Sequence, residues 1–256
     1  MNKQTFLTLL ATFALLFSFT FSCHAKGKDK AKHVVFIGLD GWGAYSLPKA
    51  DMPNVKKLME DGAYTLKKRS ALPSSSAINW ASMFMGAGPE LHGYTEWGSK
   101  TPELPSRVLN KNGIFPTVFQ LLRDARPEAE IGCLYEWEGI KYLVDTLSLS
   151  YHYHVADCNK TPKELGNMAS SYIKEKHPAL VAICYDGPDH TGHTAGHDTP
   201  EYYEKLKELD VYVGQIVQAV KDAGMLDDTI FILTSDHGGI DKGHGGKTMQ
   251  EMETAF

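Results

Sequence analysis

Short apolar runs alternate with amphipathic stretches along most of the chain. Continuous runs such as Leu180–Tyr185 predict strands buried on both faces, and stretches such as Tyr202–Ala223, apolar on one side, predict helices. This alternation is typical of an α/β fold with a mostly parallel central sheet and helices on both faces. The predicted strands are His33–Leu39, Tyr64–Ser70, Glu130–Tyr135, Leu180–Tyr185 and Thr229–Leu233, and the predicted helices are Pro53–Asp61, Ala77–Met85, Thr117–Arg123, Lys163–Lys176 and Tyr202–Ala223.

The amino terminus has the layout of a secretory signal peptide. Lys3 precedes an apolar run from Phe6 to Phe21, and small residues stand three before and one before a cut after Ala25. We therefore expect a signal peptide over residues 1–25, a charged linker over 26–32 and one catalytic domain over 33–256. The protein would be exported, to the periplasm or outside the cell, without a membrane span in the mature chain. A retained anchor and a lipid anchor at Cys23 are the alternatives.

Composition and charge narrow the function further. The chain has 256 residues, of which 43% are hydrophobic, and a formal net charge of -5 without a basic tract. Nothing in it predicts binding to a nucleic-acid polymer. The cysteines at 133, 158 and 184 are too widely spaced for a disulfide framework or a metal clip, although a Cys133–Cys158 bond stays open.

Polar side chains follow three of the predicted strands. In a parallel sheet the carboxyl ends of the strands meet at one edge, where sites form. Asp and neutral His are good ligands for zinc-like ions, and more of them gather here than one ion needs. The sequence therefore predicts two divalent metal ions, with the histidines favouring zinc. The Asp and His residues lie in three clusters, which are Gly38–Gly41, Asp189–His193 and Thr234–Gly239 with Gly243–Gly246 after it.

A run of three serines supplies the candidate nucleophile. Ser74, Ser75 and Ser76 precede the helix predicted at Ala77, and the amino terminus of a helix favours a bound anion. A serine hydroxyl attacks well only when a base or a metal ion lowers its pKa. The run therefore predicts a nucleophile that is activated by one of the ions.

These segments together resemble a known family. The sequences GLDG, PSSSAINWASMFMGAGPELHG, DHTGH, SDHGG and GHGG, within His33 to Gly246, are similar to the alkaline phosphatase superfamily and in particular to its type I phosphodiesterase/nucleotide pyrophosphatase branch. The resemblance implies Ser76 as nucleophile, where the family often has Thr, and Asn79 as donor to a phosphoryl oxygen. Ser74 and Ser75 are minor alternatives. The resemblance implies two ligand sets, Asp40, Ser76, Asp236 and His237 for one ion, and Asp189, His193 and His244 for the other.

The resemblance also implies an activity. We expect a metal-dependent phosphoric ester hydrolase, a phosphodiesterase or nucleotide pyrophosphatase, that passes through a phosphoserine and acts on a small-molecule phosphate ester. A phosphomonoesterase, a phosphoethanolamine-type transferase and an inactive metal-binding fragment are the alternatives. The sulfatase signature is absent at Ser74–Asn79, and the chain is expected to be truncated soon after His244. His92 is expected to be structural, and Asp186, His190 and His197 to lie beside the site.

Aromatic residues between 94 and 165 leave two interpretations open. They either stack on a substrate base or sugar, or pack in the core. The residues concerned are Tyr94, Trp97, Tyr135, Trp137, Tyr151 and Tyr153.

Overall fold

A computed structural model describes residues 31–156 and 162–256. The expected signal peptide, Cys23, most of the linker and Cys158 lie outside these residues. The strands are β1 (His33–Leu39), β2 (Lys68–Arg69), β3 (Ile131–Tyr135), β4 (Tyr151–His154), β5 (Leu180–Tyr185), β6 (Thr229–Thr234) and β7 (Glu253–Thr254). The α-helices are α1 (Pro53–Asp61), α2 (Ser76–Met85), α3 (Pro89–His92), α4 (Val118–Ala125), α5 (Pro162–Lys176), α6 (Gly187–Ala195), α7 (Pro200–Asp222) and α8 (Met249–Met252).

The central sheet has five parallel strands in the order β4-β3-β5-β1-β6. β1 is paired on both sides, with Gly38 opposite Cys184 of β5 and Thr234 of β6. The carboxyl ends of β5, β1 and β6 therefore lie side by side. The predicted α/β fold with a mostly parallel sheet is confirmed.

Both faces of this sheet are covered. Alternate β1 residues such as Val35 and Ile37 pack in one apolar core with α1, α5 and α7. Residues of the opposite face, such as Cys133 and Ala182, pack in a second core with α2 and α4. Cys133 and Cys184 are buried, and neither forms a disulfide with another described residue. Burial on both sides explains why β1 and β5 are continuous apolar runs in the sequence.

The strand predicted over Tyr64–Ser70 was wrong in extent, and the part that forms lies outside the central sheet. Only Lys68 and Arg69 form a strand, and it pairs antiparallel with β7 in a separate two-stranded sheet. The segment is basic and largely exposed, so it has no apolar face to bury in the central sheet.

The final residues form a short helix and a strand. Thr248 and Glu251 form a reciprocal capping box at the start of α8, and β7 follows directly. Phe256 exchanges two backbone hydrogen bonds with Thr65. The described residues also include β4, an edge strand that alternates Tyr and His and that the apolar pattern did not reveal. No described helix is long and apolar enough to cross a membrane.

Candidate metal centre and nucleophile

The candidate ligands gather where three neighbouring strands end. Asp40 follows β1, and Asp236 and His237 follow β6. Asp189 and His193 lie on α6, two and six residues after its start at the end of β5, so they face the same side of the helix one turn apart. The order of the strands therefore brings segments that are far apart in sequence to one edge.

Asp40, Asp236 and His237 form the first ligand group, and all three are buried. The His237 Nε2 atom lies 3.2 Å from Asp236 Oδ2 and 3.4 Å from Asp40 Oδ1. The Trp80 indole donates to Asp40 Oδ2 at 2.8 Å, and the Gly41 amide donates to Asp236 Oδ1 at 3.1 Å. Asp40 Oδ1 and Asp236 Oδ2 are buried without a hydrogen-bond partner among the described residues. Each carboxylate is thus held by one oxygen and offers the other to a cation.

Asp189, His193 and His244 form the second ligand group. The His193 Nε2 atom lies 3.1 Å from Asp189 Oδ2, and the His244 Nε2 atom lies 3.7 Å from Asp189 Oδ1. Asp189 is buried and the His193 side chain is 45% exposed, so this group borders solvent. The position suits an ion that also contacts a substrate or a water molecule.

The three candidate histidine ligands share one hydrogen-bond arrangement. In each ring Nδ1 lies within 3.0 Å of a backbone carbonyl, so Nδ1 carries the proton and donates it. Nε2 is then the ring nitrogen on the side of the carboxylates and the one that an ion would bind. A hydrogen bond of this kind fixes the ring and the tautomer of metal-binding histidines in general. The acceptors are Gly238 O for His237, Lys242 O for His193 and Ser74 O for His244.

The two ligand groups adjoin. Asp40 and Asp189, one from each group, also form a third cluster with Asp186, in which the ligand atoms lie within 4.8 Å of one another. The rings of His237 and His244 stack with their centroids 3.8 Å apart. Such proximity suits two ions that act on one substrate.

Gly41 allows this close approach. Its φ of 68° lies in the left-handed region, where a side chain is strained. A Cβ at this position would lie 2.8 Å from both Cβ and Oδ1 of Asp189. The glycine of the GLDG segment is therefore required for the second group to pack against the end of β1.

The electrostatics of the two ligand groups match a cation site. Burial, followed by repulsion from Asp236, raises the pKa of Asp40 well above its usual range. Burial also acts to raise the pKa of Asp189, but the hydrogen bond from His193 and the other site histidines lower it overall. The same bond raises the pKa of His193 to about 9. Divalent cations would offset the cost of burying these carboxylates together.

Ser76 is the serine that faces the first group. It begins α2, and its Oγ lies 3.2 Å from His237 Nε2. Ser75 Oγ lies 3.4 Å from His244 Nδ1, and the Ser74 hydroxyl donates to the Gly246 carbonyl. Because the Ser74 hydroxyl is already hydrogen-bonded, the geometry favours Ser76 over this alternative. The nucleophilic role itself stays a prediction.

The structure gives Asn79 other partners than a substrate. Its Nδ2 lies within 3.2 Å of the carbonyls of Ala71, Pro73 and Ser75, and its Oδ1 accepts from the Ala71 amide at 2.6 Å. The side chain clamps the loop that precedes Ser76. A contact with a phosphoryl oxygen would require one of these bonds to break, so that role remains a prediction.

Sequence reasoning missed residues that support the ligands. Trp80 holds Asp40 and lies one helical turn after Ser76, which is the signal that could have found it. Glu136 follows β3, and its carboxylate accepts from the Asp186 amide at the start of α6. Burial raises the pKa of Glu136 to about 8. Trp80 thus orients the ligand Asp40 directly, and Glu136 holds the start of the helix that carries Asp189 and His193.

The remaining candidates fall outside the two groups. His92 is fully buried and bonds with Ser82 and Tyr94, as a structural residue would. His197 is buried beside Asp189. Of the aromatic residues, Tyr94 and Tyr135 are buried in the core, and Trp97 is 67% exposed.

Comparison with known proteins shows the family. The model of the family "Type I phosphodiesterase / nucleotide pyrophosphatase" matches residues 34–249. The mouse bis(5'-adenosyl)-triphosphatase enpp4 is 26% identical over 221 residues, which cover 82% of this chain and 48% of that protein. GPI ethanolamine phosphate transferase 3 of Schizosaccharomyces pombe is 30% identical over 117 residues, which cover 45% of this chain and 12% of that protein. The chain therefore spans about half the length of the first of these relatives.

Solved structures share the fold. An inactive form of murine ectonucleotide pyrophosphatase/phosphodiesterase 5 in complex with AMP superposes with a TM-score of 0.65 at 20% identity, covering 81% of this chain and 57% of that one. A 2-O GAG sulfatase superposes with a TM-score of 0.67 at 12% identity, covering 89% and 64%. The family match, the fold and the arrangement at the strand ends agree, and the chain belongs to the type I phosphodiesterase/nucleotide pyrophosphatase family.

Proposed function

We propose that this chain is an exported, two-metal phosphodiesterase that uses Ser76 as its nucleophile. The observation that carries the proposal is the pair of adjoining Asp/His groups with Ser76 Oγ 3.2 Å from His237 Nε2. Export is supported by the signal-like amino terminus. Family membership supports a hydrolase that acts on phosphoric ester bonds.

The donor set fits two divalent ions. Asp40, Asp236 and His237, with Ser76, would hold one of them, and Asp189, His193 and His244 would hold the other. Neutral imidazoles and carboxylates are ligands that zinc accepts. Bound ions would lower the pKa of the Ser76 hydroxyl and of water, and would neutralise charge on the phosphoryl oxygens.

The reaction then takes two displacements. Oγ of Ser76 forms a bond to phosphorus as the bond to the leaving oxygen breaks, and the Ser76 proton passes to the leaving oxygen, which gives a phosphoryl-Ser76 ester and an alcohol or phosphate. Water then attacks the same phosphorus, the bond to Oγ breaks, and a proton of the water passes to Oγ as the phosphate product leaves. The start of α2 places this step at a helix amino terminus, whose dipole favours the anionic phosphoryl group.

The substrate class is a small phosphate diester or a nucleoside polyphosphate. This follows from the relative named as a bis(5'-adenosyl)-triphosphatase and the neighbour solved with AMP. A phosphomonoesterase and a metal-binding fragment without activity are the alternatives from the sequence. Similarity over 117 residues to a phosphoethanolamine transferase favours one further candidate, in which an alcohol replaces water in the second displacement.

Hydrolysis of two chromogenic esters tests the proposal. The zinc-loaded chain is assayed with bis-p-nitrophenyl phosphate and p-nitrophenyl phosphate side by side. We expect faster cleavage of the diester, and a loss of at least about 1000-fold in kcat for Ser76→Ala. Ser82→Ala is the matched control, because it removes a hydroxyl that donates to the Ile78 carbonyl within the same helix. Equal activity of the Ser76→Ala and Ser82→Ala variants would overturn the assignment of Ser76 as nucleophile. Faster cleavage of the monoester would show that the enzyme is a phosphatase and not a phosphodiesterase.

A further inference from the structure

His197 is a buried histidine without an explained role. It lies just after α6, where its backbone amide donates to the Asp241 carbonyl at 2.6 Å, and its side chain has no exposed area. A neutral imidazole carries one N–H and one lone pair, so each ring nitrogen needs a partner when the ring is buried.

Two glycines make room for this ring. A Cβ built at Gly192 or at Gly239 would lie 2.3 Å from the imidazole of His197, much closer than van der Waals contact allows. Tyr202 packs against the same ring, with centroids 5.4 Å apart. The imidazole thus lies between α6, which contains Gly192, and the segment after β6, which contains Gly239. Both segments also carry candidate metal ligands.

Neither ring nitrogen of His197 has a hydrogen-bond partner among the described residues. A buried polar group without a hydrogen-bond partner destabilises the folded state, so such groups are rare. The Asp189 Oδ1 atom is also buried and without a partner, and it lies 3.8 Å from His197 Nε2. A donor and an acceptor that both lack a partner therefore face each other across a gap slightly longer than a hydrogen bond.

We propose that His197 is a positioning residue for metal binding, whose Nε2–H donates to Asp189 Oδ1 when an ion is bound. Asp189 Oδ2, which faces His193, is then the oxygen left for the ion. The inference rests on the proposed two-metal site. Hydrogen bonds in functional sites are often long without a ligand and shorten when the ligand is bound.

The geometry separates this role from direct ligation. The second ligand group comprises Asp189, His193 and His244, and His197 is not one of the residues whose ligand atoms converge there. The ring of His193 lies 6.3 Å away from that of His197, centroid to centroid. His197 therefore acts through Asp189.

Zinc affinity tests the proposal without any turnover. Competition with a chromophoric chelator gives the two dissociation constants of the wild-type chain, of His197→Leu and of His197→Gln. We expect His197→Leu to weaken one of the two sites by roughly 10–100-fold and the other by little. His197→Gln places an N–H near the position of Nε2 and should recover most of this loss. With cobalt(II) in place of zinc, the absorption spectrum of the same site should change in His197→Leu and stay close to that of the wild type in His197→Gln.

His92→Leu is the matched control. His92 is likewise buried, with a pKa lowered by burial to about 4, but it bonds with Ser82 and Tyr94 away from the ligands. This variant should melt at a lower temperature and keep both zinc affinities. His197→Met replaces His197→Leu in the comparison if the latter does not fold.

The outcomes separate the two proposals. Unchanged zinc affinity in His197→Leu, or a Gln variant no tighter than the Leu variant, would overturn the role of His197 while the metal site stands. Failure of the wild-type chain to bind zinc at two sites would instead contradict the proposed function.

Discussion

Single hydrogen bonds decide which atoms of this site are left for a metal ion. The Nδ1 atoms of His193, His237 and His244 are all directed at backbone carbonyls, and Trp80 takes one oxygen of Asp40. The chemistry of these residues was readable from the sequence because Asp and His follow the strands. Their hydrogen-bond partners were not, since Ser74 O and Lys242 O are backbone atoms from distant segments.

Asn79 gives a prediction at this scale. Asn79→Ala removes the side chain that clamps the loop before Ser76 and leaves the half-buried Ala71 amide without its acceptor. We expect the free energy of unfolding to fall by about 1–3 kcal/mol and kcat to fall with it. Chemical denaturation and turnover of the diester measure the two effects. A loss of kcat at unchanged stability would show that the amide acts on the phosphoryl group alone.

His92 gives a second prediction, on pH. Burial lowers the pKa of His92 from 6.5 to about 4. Between these two pH values the imidazole is protonated in the unfolded chain and neutral in the folded chain. The stability due to this group is present above pH 6.5 and is lost as the pH falls through about 4. In the metal-free chain, His92→Gln should reduce the loss of unfolding free energy between pH 7 and pH 4 by on the order of 1 kcal/mol. Identical pH dependence in urea titrations of the two proteins would contradict it.

At the scale of elements, continuous apolar runs decided which strands the sequence could predict. β1 and β5 were predicted with their exact bounds because parallel strands that are covered on both faces are continuous apolar runs. β6 lies at an edge of the sheet, and its own apolar run still predicted it within one residue. β4 and β7 lie at edges and carry polar or aromatic residues, so their pairing depends on neighbours that a local pattern does not contain.

The short helix α8 supports a ligand from outside the site. Glu251 accepts from the Gly246 amide, two residues after His244, and takes part in the capping box with Thr248. Thr248→Ala should cost about 1 kcal/mol of stability and leave zinc affinity nearly unchanged. Glu251→Ala should cost stability and also weaken zinc binding, because it releases the loop of His244. Equal zinc affinities of the two variants would contradict this link.

At the scale of the whole molecule, the order of the strands assembles the site. β1 lies between β5 and β6, so the strand ends at Leu39, Tyr185 and Thr234 meet at one edge although they are far apart in the sequence. The motif order and the sheet rule were sufficient to predict this meeting. The closeness of the two groups was not predictable, because it depends on Gly41 and on the stacking of His237 with His244.

Metal removal gives the prediction at this scale. Ions that bind only the folded chain add stability by mass action, about 2.7 kcal/mol for one site at a concentration 100 times its Kd. We expect zinc to raise the melting temperature and EDTA to reverse the rise. A melting temperature that is indifferent to zinc would contradict a cation site among these buried carboxylates.

The zinc stoichiometry of purified protein tests the central claim most directly. After equilibrium dialysis against zinc, metal analysis should find two ions per wild-type chain. One ion should remain in Asp236→Ala, which loses a ligand of the first group, and one in Asp189→Ala, which loses a ligand of the second. A wild-type chain with fewer than two ions, or two variants that both keep the full complement, would contradict a site built from two separate ligand groups.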